Sequence, residues 1–304
     1  MLGTIMSLCR HSKRWQGGDM KVGAHVSTAG GIDKAVDRAQ EMGAEAVQIF
    51  ISSPRGWAFK PISPAMVSAY KEKAEKAGIG PTFFHGIYLV SLGAATEENL
   101  DKSVEALTNY MQAAGELGAS GVIFHTGSHR GMGYEGVFDQ AVRAMSRVLE
   151  ASPPNVWLTI ENSAGMGDHI CSKFSEIGRL MKALESSQVK VCLDTQHTFA
   201  AGYDLVNESG LEQVMEEFDR EIGLENLVAV HANDSKTPFA SAVDRHENIG
   251  EGYMGVEGFR VIMAHPAFRD VPFFLEVPGA DGNGPDKVNV AKLKAIRDEV
   301  GVKA

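Results

Sequence analysis

The chain has little cysteine: three residues in 304, an odd number with no pair at a metal-ligand spacing. That argues against a disulfide framework and against a structural thiolate site. Cys9 and Cys171 have no partner, and Cys192 lies inside an apolar strand-like run. No apolar run approaches the roughly 20 residues of a transmembrane helix. Positive charge is also in deficit, with a net charge of −10. Such a balance ordinarily argues against nucleic acid, whose phosphates need cations, but bound divalent ions would reverse the local field. No linker or low-complexity repeat is visible. The expectation is a reduced, cytoplasmic protein.

Residues 1–19 differ from the rest. They have neither a sustained apolar stretch nor a small-residue cleavage site, so they make a poor signal peptide. They are expected to be a disordered or mis-assigned extension. Met20, directly before the strand-like KVGAHVS, is the alternative start, since Gln16-Gly17-Gly18-Asp19 can be encoded by a ribosome-binding sequence. An intact mass of the natively expressed protein that includes these residues would overturn that expectation.

What is abundant is glycine, 33 residues, and 44% hydrophobic residues, enough for one barrel of roughly 250 residues. Strands are expected near 21–26, 45–51, 81–85, 121–125, 156–161, 190–194, 227–231 and 272–276. Amphipathic helical stretches such as SPAMVSAYKEKAEKAG and DKVNVAKLKAIRDEVG lie between them, most of them ending at glycine. Continuous apolar strands indicate a parallel sheet covered on both faces. Eight such units predict one closed (β/α)8 TIM barrel over residues 20–304, with its working residues at the C-terminal ends of the strands.

Six strands end on a metal-ligand residue type: His85, His125, Glu161, Asp194, His231 and Glu276, at intervals of 40, 36, 33, 37 and 45 residues. One strand-end histidine alone is usually a structural residue; six in phase predict a polynuclear centre at the barrel mouth. DTQH adds His197, three residues after Asp194, a spacing that shares one face of a helical turn. VDRH adds Asp244 and His246, two apart, which share a face in extended chain and turn Arg245 the other way. Imidazole with carboxylate suits zinc or manganese. Nine ligands suffice for three ions if a carboxylate bridges. His129 is left outside this set, His11, His169 and His265 show no supporting company, and Gly30-Gly31 are expected to shape the first loop.

The stretches HVSTAGG, FHTGSH, IENSAG, CLDTQHTFAAGYDL and HANDSKTPFASAVDRHENIGEG resemble the signature segments of the endonuclease IV family, from about Lys21 to the C-terminal region. The resemblance implies a (β/α)8 barrel with three Zn2+, Mn2+ being possible at some sites. His85, His125 and Glu161 would hold one ion. Glu161, Asp194, His231 and Glu276 would hold the second, with Glu161 as the bridge, and His197, Asp244 and His246 the third. It implies hydrolysis of the phosphodiester 5′ to abasic sites in double-stranded DNA by a hydroxide on the first two ions, leaving a 3′-hydroxyl and a 5′-deoxyribose phosphate. Clearing of blocked 3′ ends is implied too. Glu161 and Glu276 would be the catalytic carboxylates, Glu276 orienting the nucleophile. Arg55, Tyr88 and Leu89 resemble the DNA-inserting residues, while Lys60, Arg130, Lys236 and Arg245 fall in loops that could meet phosphates. A monomer is expected. The sequence departs from the family pattern at Gln196, where cysteine is expected and little effect follows, and at Gly86-Ile87 and Val277-Pro278. The alternative reading is a divalent-metal sugar isomerase or epimerase resembling xylose isomerase, which has no use for a third ion.

Overall fold

The computed structural model describes residues 20–302; the readings of residues 1–19, with Cys9 and His11, lie outside them. The strands are β1 (Val22–His25), β2 (Ala46–Ile49), β3 (Thr82–His85), β4 (Gly121–His125), β5 (Trp157–Glu161), β6 (Val189–Asp194), β7 (Leu227–His231), β8 (Asp234–Ser235), β9 (His246–Glu247) and β10 (Phe273–Leu275). Strands β1 to β7 and β10 close a parallel barrel in which β10 pairs with β7 and β1. The short antiparallel pair β8–β9 stands outside it and was not expected from sequence. The last barrel strand stops at Leu275, one residue short of Glu276.

Long helices cover the barrel: α1 (Lys34–Met42), α2 (Pro64–Ala77), α3 (Glu97–Leu117), α4 (Gly133–Glu150) and α5 (Phe174–Leu184), then the single short turn α6 (Thr195–Ala200), and α7 (Glu208–Glu221), α8 (Gly255–Ala264) and α9 (Lys287–Glu299). Their ends are set locally. Ser63 accepts from the Met66 amide ahead of Pro64 at the start of α2, and Thr96 accepts from Asn99 at the start of α3. Gly118 ends α3 with φ 78°, a left-handed conformation costly for a residue with a Cβ. Among the described residues no helix is long and apolar enough to cross a membrane.

Alternation along the strands sorts side chains between two compartments. Phe84, Val122, Phe124, Leu158, Ile160, Leu193 and Val230 belong to the large core beneath the helices. Ala46, Phe83, Ile123, Cys192, Ala229 and Phe274 form a separate cluster inside the barrel. Gly23 leaves that interior its room, since a Cβ there would lie 2.8 Å from the Phe274 ring and 2.6 Å from the Ala46 carbonyl. Two residues further along each strand the same inward phase recurs. That phase carries His25, Gln48, His85, His125, Glu161, Asp194 and His231 from seven barrel strands, and Glu276 just past the end of β10.

Candidate metal centre

That layer is the floor of the site. Glu161, 1% exposed, is its centre. One carboxylate oxygen lies 3.1 Å from His85 Nε2 and 3.6 Å from His125 Nδ1; the other lies 2.9 Å from His231 Nδ1 and 3.3 Å from His197 Nδ1. Ligand-type atoms gather into three sets: His85, His125 and Glu161; Glu161, Asp194, His231 and Glu276; and Asp194, His197 and His246. Glu161 and Asp194 each belong to two sets, so the three form a chain joined by shared carboxylates. Asp244 reaches the third set from the solvent side, 3.4 Å from His197 and 3.6 Å from His246. The third set therefore has two carboxylates to draw on, where the sequence pointed to Asp244 alone.

Local folding aims these side chains. Asp194 caps α6 by accepting from the His197 amide at 2.8 Å, which turns the three-residue spacing into a shared face. Several imidazoles have one nitrogen tied to a carbonyl, which can only accept. His85 Nδ1 donates to Gly86 O at 2.8 Å, His197 Nδ1 to Asn162 O at 2.9 Å and His246 Nδ1 to Glu276 O at 3.3 Å. Their Nε2 atoms face the carboxylates, where a bound cation would take the place of a proton, the arrangement that orients metal-binding histidines. His246 Nε2 is buried with no hydrogen-bond partner, which a divalent cation would satisfy. The donor set therefore fits such ions, with nitrogen and oxygen ligands and no thiolate.

The hairpin that carries His246 is held by Asp234. Its buried carboxylate accepts from the amides of Ser235, Gly250, Gly252, Met254 and Gly255 at 2.7–3.2 Å. Asn233 donates to Asp194 at 2.7 Å and accepts from the Glu276 amide at 2.9 Å. Sequence reasoning missed Asp234, Asn233 and Asn162, because aspartate and asparagine in loops usually read as turn formers. It also passed over His25 and Gln48. His25 lies 3.2 Å from Glu276, and Gln48 touches both His231 and Glu276. His169, judged to be without company, lines the same cavity as His85, His125, His197 and Asp244. His129 instead accepts from the Gly133 amide at the start of α4, and His265 pairs with Glu212.

Burial opposes every charge here, and at Glu161, His197 and His231 the pairs outweigh it. Against that burial, the charges of His125 and His231 and the hydrogen bonds of His197 and His231 hold Glu161 well below the usual carboxylate range. Burial would lower His197 and His231, but the carboxylates around them, Asp194 and Asp244 for one and Glu276 and Glu161 for the other, hold both well above the usual imidazole range. His125, where burial dominates, is pushed down to about 4. A cation entering the site must displace the protons His197 and His231 retain.

Above this floor lie two cavities of 320 Å³ and 460 Å³ that share Tyr88, His246 and Glu276 on their walls. Tyr88, 56% exposed, stands at the rim, its amide bonded to Pro54 O at 2.9 Å, which joins its loop to the one bearing Arg55. Arg55, Lys60, Arg130, Lys236 and Arg245 are all exposed on βα loops. The large apolar side chains exposed among the described residues, Met66, Tyr88, Leu89, Met132, Phe239, Tyr253 and Val288, lie without exception on βα loops or in the first turn of the helix that follows. They therefore share the face onto which the site opens.

The family described as xylose isomerase-like TIM barrel matches residues 36–299. The protein named probable endonuclease 4 of Halothermothrix orenii is 38% identical over 268 residues, 88% of this chain and 96% of that one. Its counterpart in Methanoculleus marisnigri is 39% identical over 277 residues, 90% and 98% of the two chains. This chain belongs to the endonuclease IV family. Endonuclease IV of Thermus thermophilus matches with a TM-score of 0.82 and 34% identity, covering 92% of this chain and 99% of that one. A D-tagatose 3-epimerase-like protein, at TM-score 0.68 and 17% identity, shares the fold.

The departures from the endonuclease IV pattern each have a structural role. Ile87 is buried in the core cluster, which turns Tyr88 and Leu89 outward. Gly86 packs against Phe124, where a Cβ would lie 3.1 Å from its Cβ. Val277 is fully buried, and Gly279 is tied by its amide to Asn248 near His246. Gln196, expected to matter little, is fully buried and donates to Val243 O at 2.9 Å and Ser235 Oγ at 3.3 Å. It thereby straps the loop of Asp244 to the helix of His197. Gln196→Ala is expected to weaken retention of an ion at the His197 set by about tenfold, the usual cost of removing an outer support. Metal analysis after graded chelation checks this; retention equal to wild type would mean the strap is dispensable.

Proposed function

We propose that this chain is an apurinic/apyrimidinic endonuclease that hydrolyses the phosphodiester 5′ to abasic sites in double-stranded DNA. It leaves a 3′-hydroxyl and a 5′-deoxyribose phosphate, and it clears blocked 3′ ends. The observation that carries this reading is the coincidence of three linked ligand sets with the exposed large apolar side chains of the described residues on one open face. A small sugar substrate asks for an enclosed pocket; an open face with apolar and basic rims suits a duplex. In this reading His85, His125 and Glu161 hold the first ion, and Glu161, Asp194, His231 and Glu276 the second. His197, Asp244 and His246 hold the third, with Asp194 adjoining; zinc is the expected metal and manganese the alternative. Such ions, when bound, lower the pKa of water and stabilise charge on a phosphate and a departing oxygen.

The side chains supply the rest. Glu161 keeps two ligand sets in register, and Glu276, between His25 and His231, orients the attacking water. His85, His197 and His246 would offer Nε2 to the ions, because their other nitrogens are committed to carbonyls. Tyr88 and Leu89 enter the duplex beside Arg55, and Arg245 with Lys60, Arg130 and Lys236 meets the backbone. An abasic nucleotide costs least to unstack, which supplies selectivity. The enzyme is read as a cytoplasmic monomer.

The test is a duplex with one abasic-site analogue, incubated with zinc-loaded protein. A single cut 5′ to the lesion is expected, lost in His197→Ala. Tyr88→Ala should weaken lesion binding about tenfold, the scale of one stacking contact, with little change in metal content. No cut by loaded protein, together with interconversion of aldose and ketose sugars, would move the assignment to the isomerases and epimerases.

A further inference from the structure

Gln48 is a fully buried amide in the floor of the site, contributed by β2, a strand that carries none of the nine proposed ligands. An amide in such a place must pair both ends. Its Nε2 donates to Glu276 Oε1 at 2.5 Å and lies 3.0 Å from His25 Nδ1, while its Oε1 lies 2.7 Å from His231 Nε2. The orientation of the amide is decided by chemistry. Glu276, ionised, can only accept, so the NH2 end must face it and the oxygen must face His231. His231 therefore keeps a proton on Nε2, and Nδ1 is the atom an ion can take over, facing Glu161 at 2.9 Å, Glu276 Oε2 at 3.4 Å and Asp194 at 3.8 Å.

We propose that Gln48 is a positioning residue for the second ion, an inference that rests on the metal-centre reading above. It selects Nδ1 of His231 as the ligand atom. By occupying Glu276 Oε1, together with His25 at 3.2 Å, it leaves Oε2 for the ion. One side chain thus fixes two ligands from strands β7 and the β10 terminus. His85, His197 and His246 obtain the same service from backbone carbonyls; His231 obtains it from an amide on another strand. Such outer contacts set ligand orientation, and their loss typically weakens metal affinity.

Two measurements test this. In zinc-loaded wild-type protein labelled with 15N in its histidine rings, the His231 ring should show a protonated Nε2 and a metal-shifted Nδ1. A metal-shifted Nε2 overturns the proposal. Gln48→Leu, of similar size, should lose about 10- to 100-fold in affinity for its second zinc in chelator competition, while its metal-free thermal transition stays cooperative. Unchanged affinity also overturns the proposal and leaves the metal centre standing. Wild-type protein that takes up no zinc overturns both.

Discussion

Glu161→Gln should abolish phosphodiester cleavage while leaving the barrel folded. The loss expected is on the order of a thousandfold, equivalent to about 4 kcal/mol of transition-state stabilisation. The two oxygens of Glu161 face four imidazoles, from His85, His125, His231 and His197. An amide of the same shape keeps one acceptor and puts a donor against nitrogens that should receive a cation. Neighbouring ligand sets lose their shared member at once, so the damage is not confined to one ion. The barrel closes through backbone pairing, in which Glu161 takes part only by its main chain, and through the interior cluster around Phe83 and Phe274, which its side chain does not join. Cleavage assays, zinc content and a thermal melt on one preparation check the expectation. Near-normal cleavage by the variant would sink the bridging role.

Asp234→Ala should carry the largest stability cost of any single change in the site, about 4 kcal/mol, because several buried amides lose their acceptor together. The carboxylate takes five backbone N–H groups, from Ser235 and from the loop 250–255. The loop passes so close to β8 that a Cβ on Gly252 would collide with the Ser235 carbonyl. Urea denaturation of the metal-free variant against metal-free wild type measures the cost. Asp234→Asn, which keeps one acceptor, should fall between them. Loss of the His246 site is expected alongside. A variant within about 1 kcal/mol of wild type would mean that the loop has other support.

The barrel and most of its site were legible because chemistry changes abruptly at the strand ends. Along buried parallel strands both faces are apolar, one under helices and one inside the barrel, so alternation is hidden until the inner layer turns polar. PTFFH, GVIFH and LVAVH show that turn plainly. VGAH does not, because Val26 follows His25 and prolongs the apolar run. AVQI does not, because Gln48 is no ligand type and Ile49 follows it. Those two strands supply the supports of Glu276 and His231. The β8–β9 pair, two residues per strand, is too short to leave a period. Its presence follows from Asp234, whose partners are backbone amides that no sequence pattern records. The contacts of Gln196 were hidden for a similar reason: its bond to the Val243 carbonyl spans 47 residues.

The crowding of exposed apolar side chains onto one face leaves the other end of the barrel chemically quiet. The turns that close α1 and α2 lie there, and Gly43 and Gly78 meet nothing within 4 Å. The free thiols among the described residues, Cys171 and Cys192, are both buried, and burial pushes each up to about 12. Such thiols are inert toward alkylating reagents at neutral pH. In a chain that also carries Cys9→Ser, a cysteine introduced beside either turn would thus be a selective handle, one that fixes molecules to a bead or sensor chip with every mouth facing the solution.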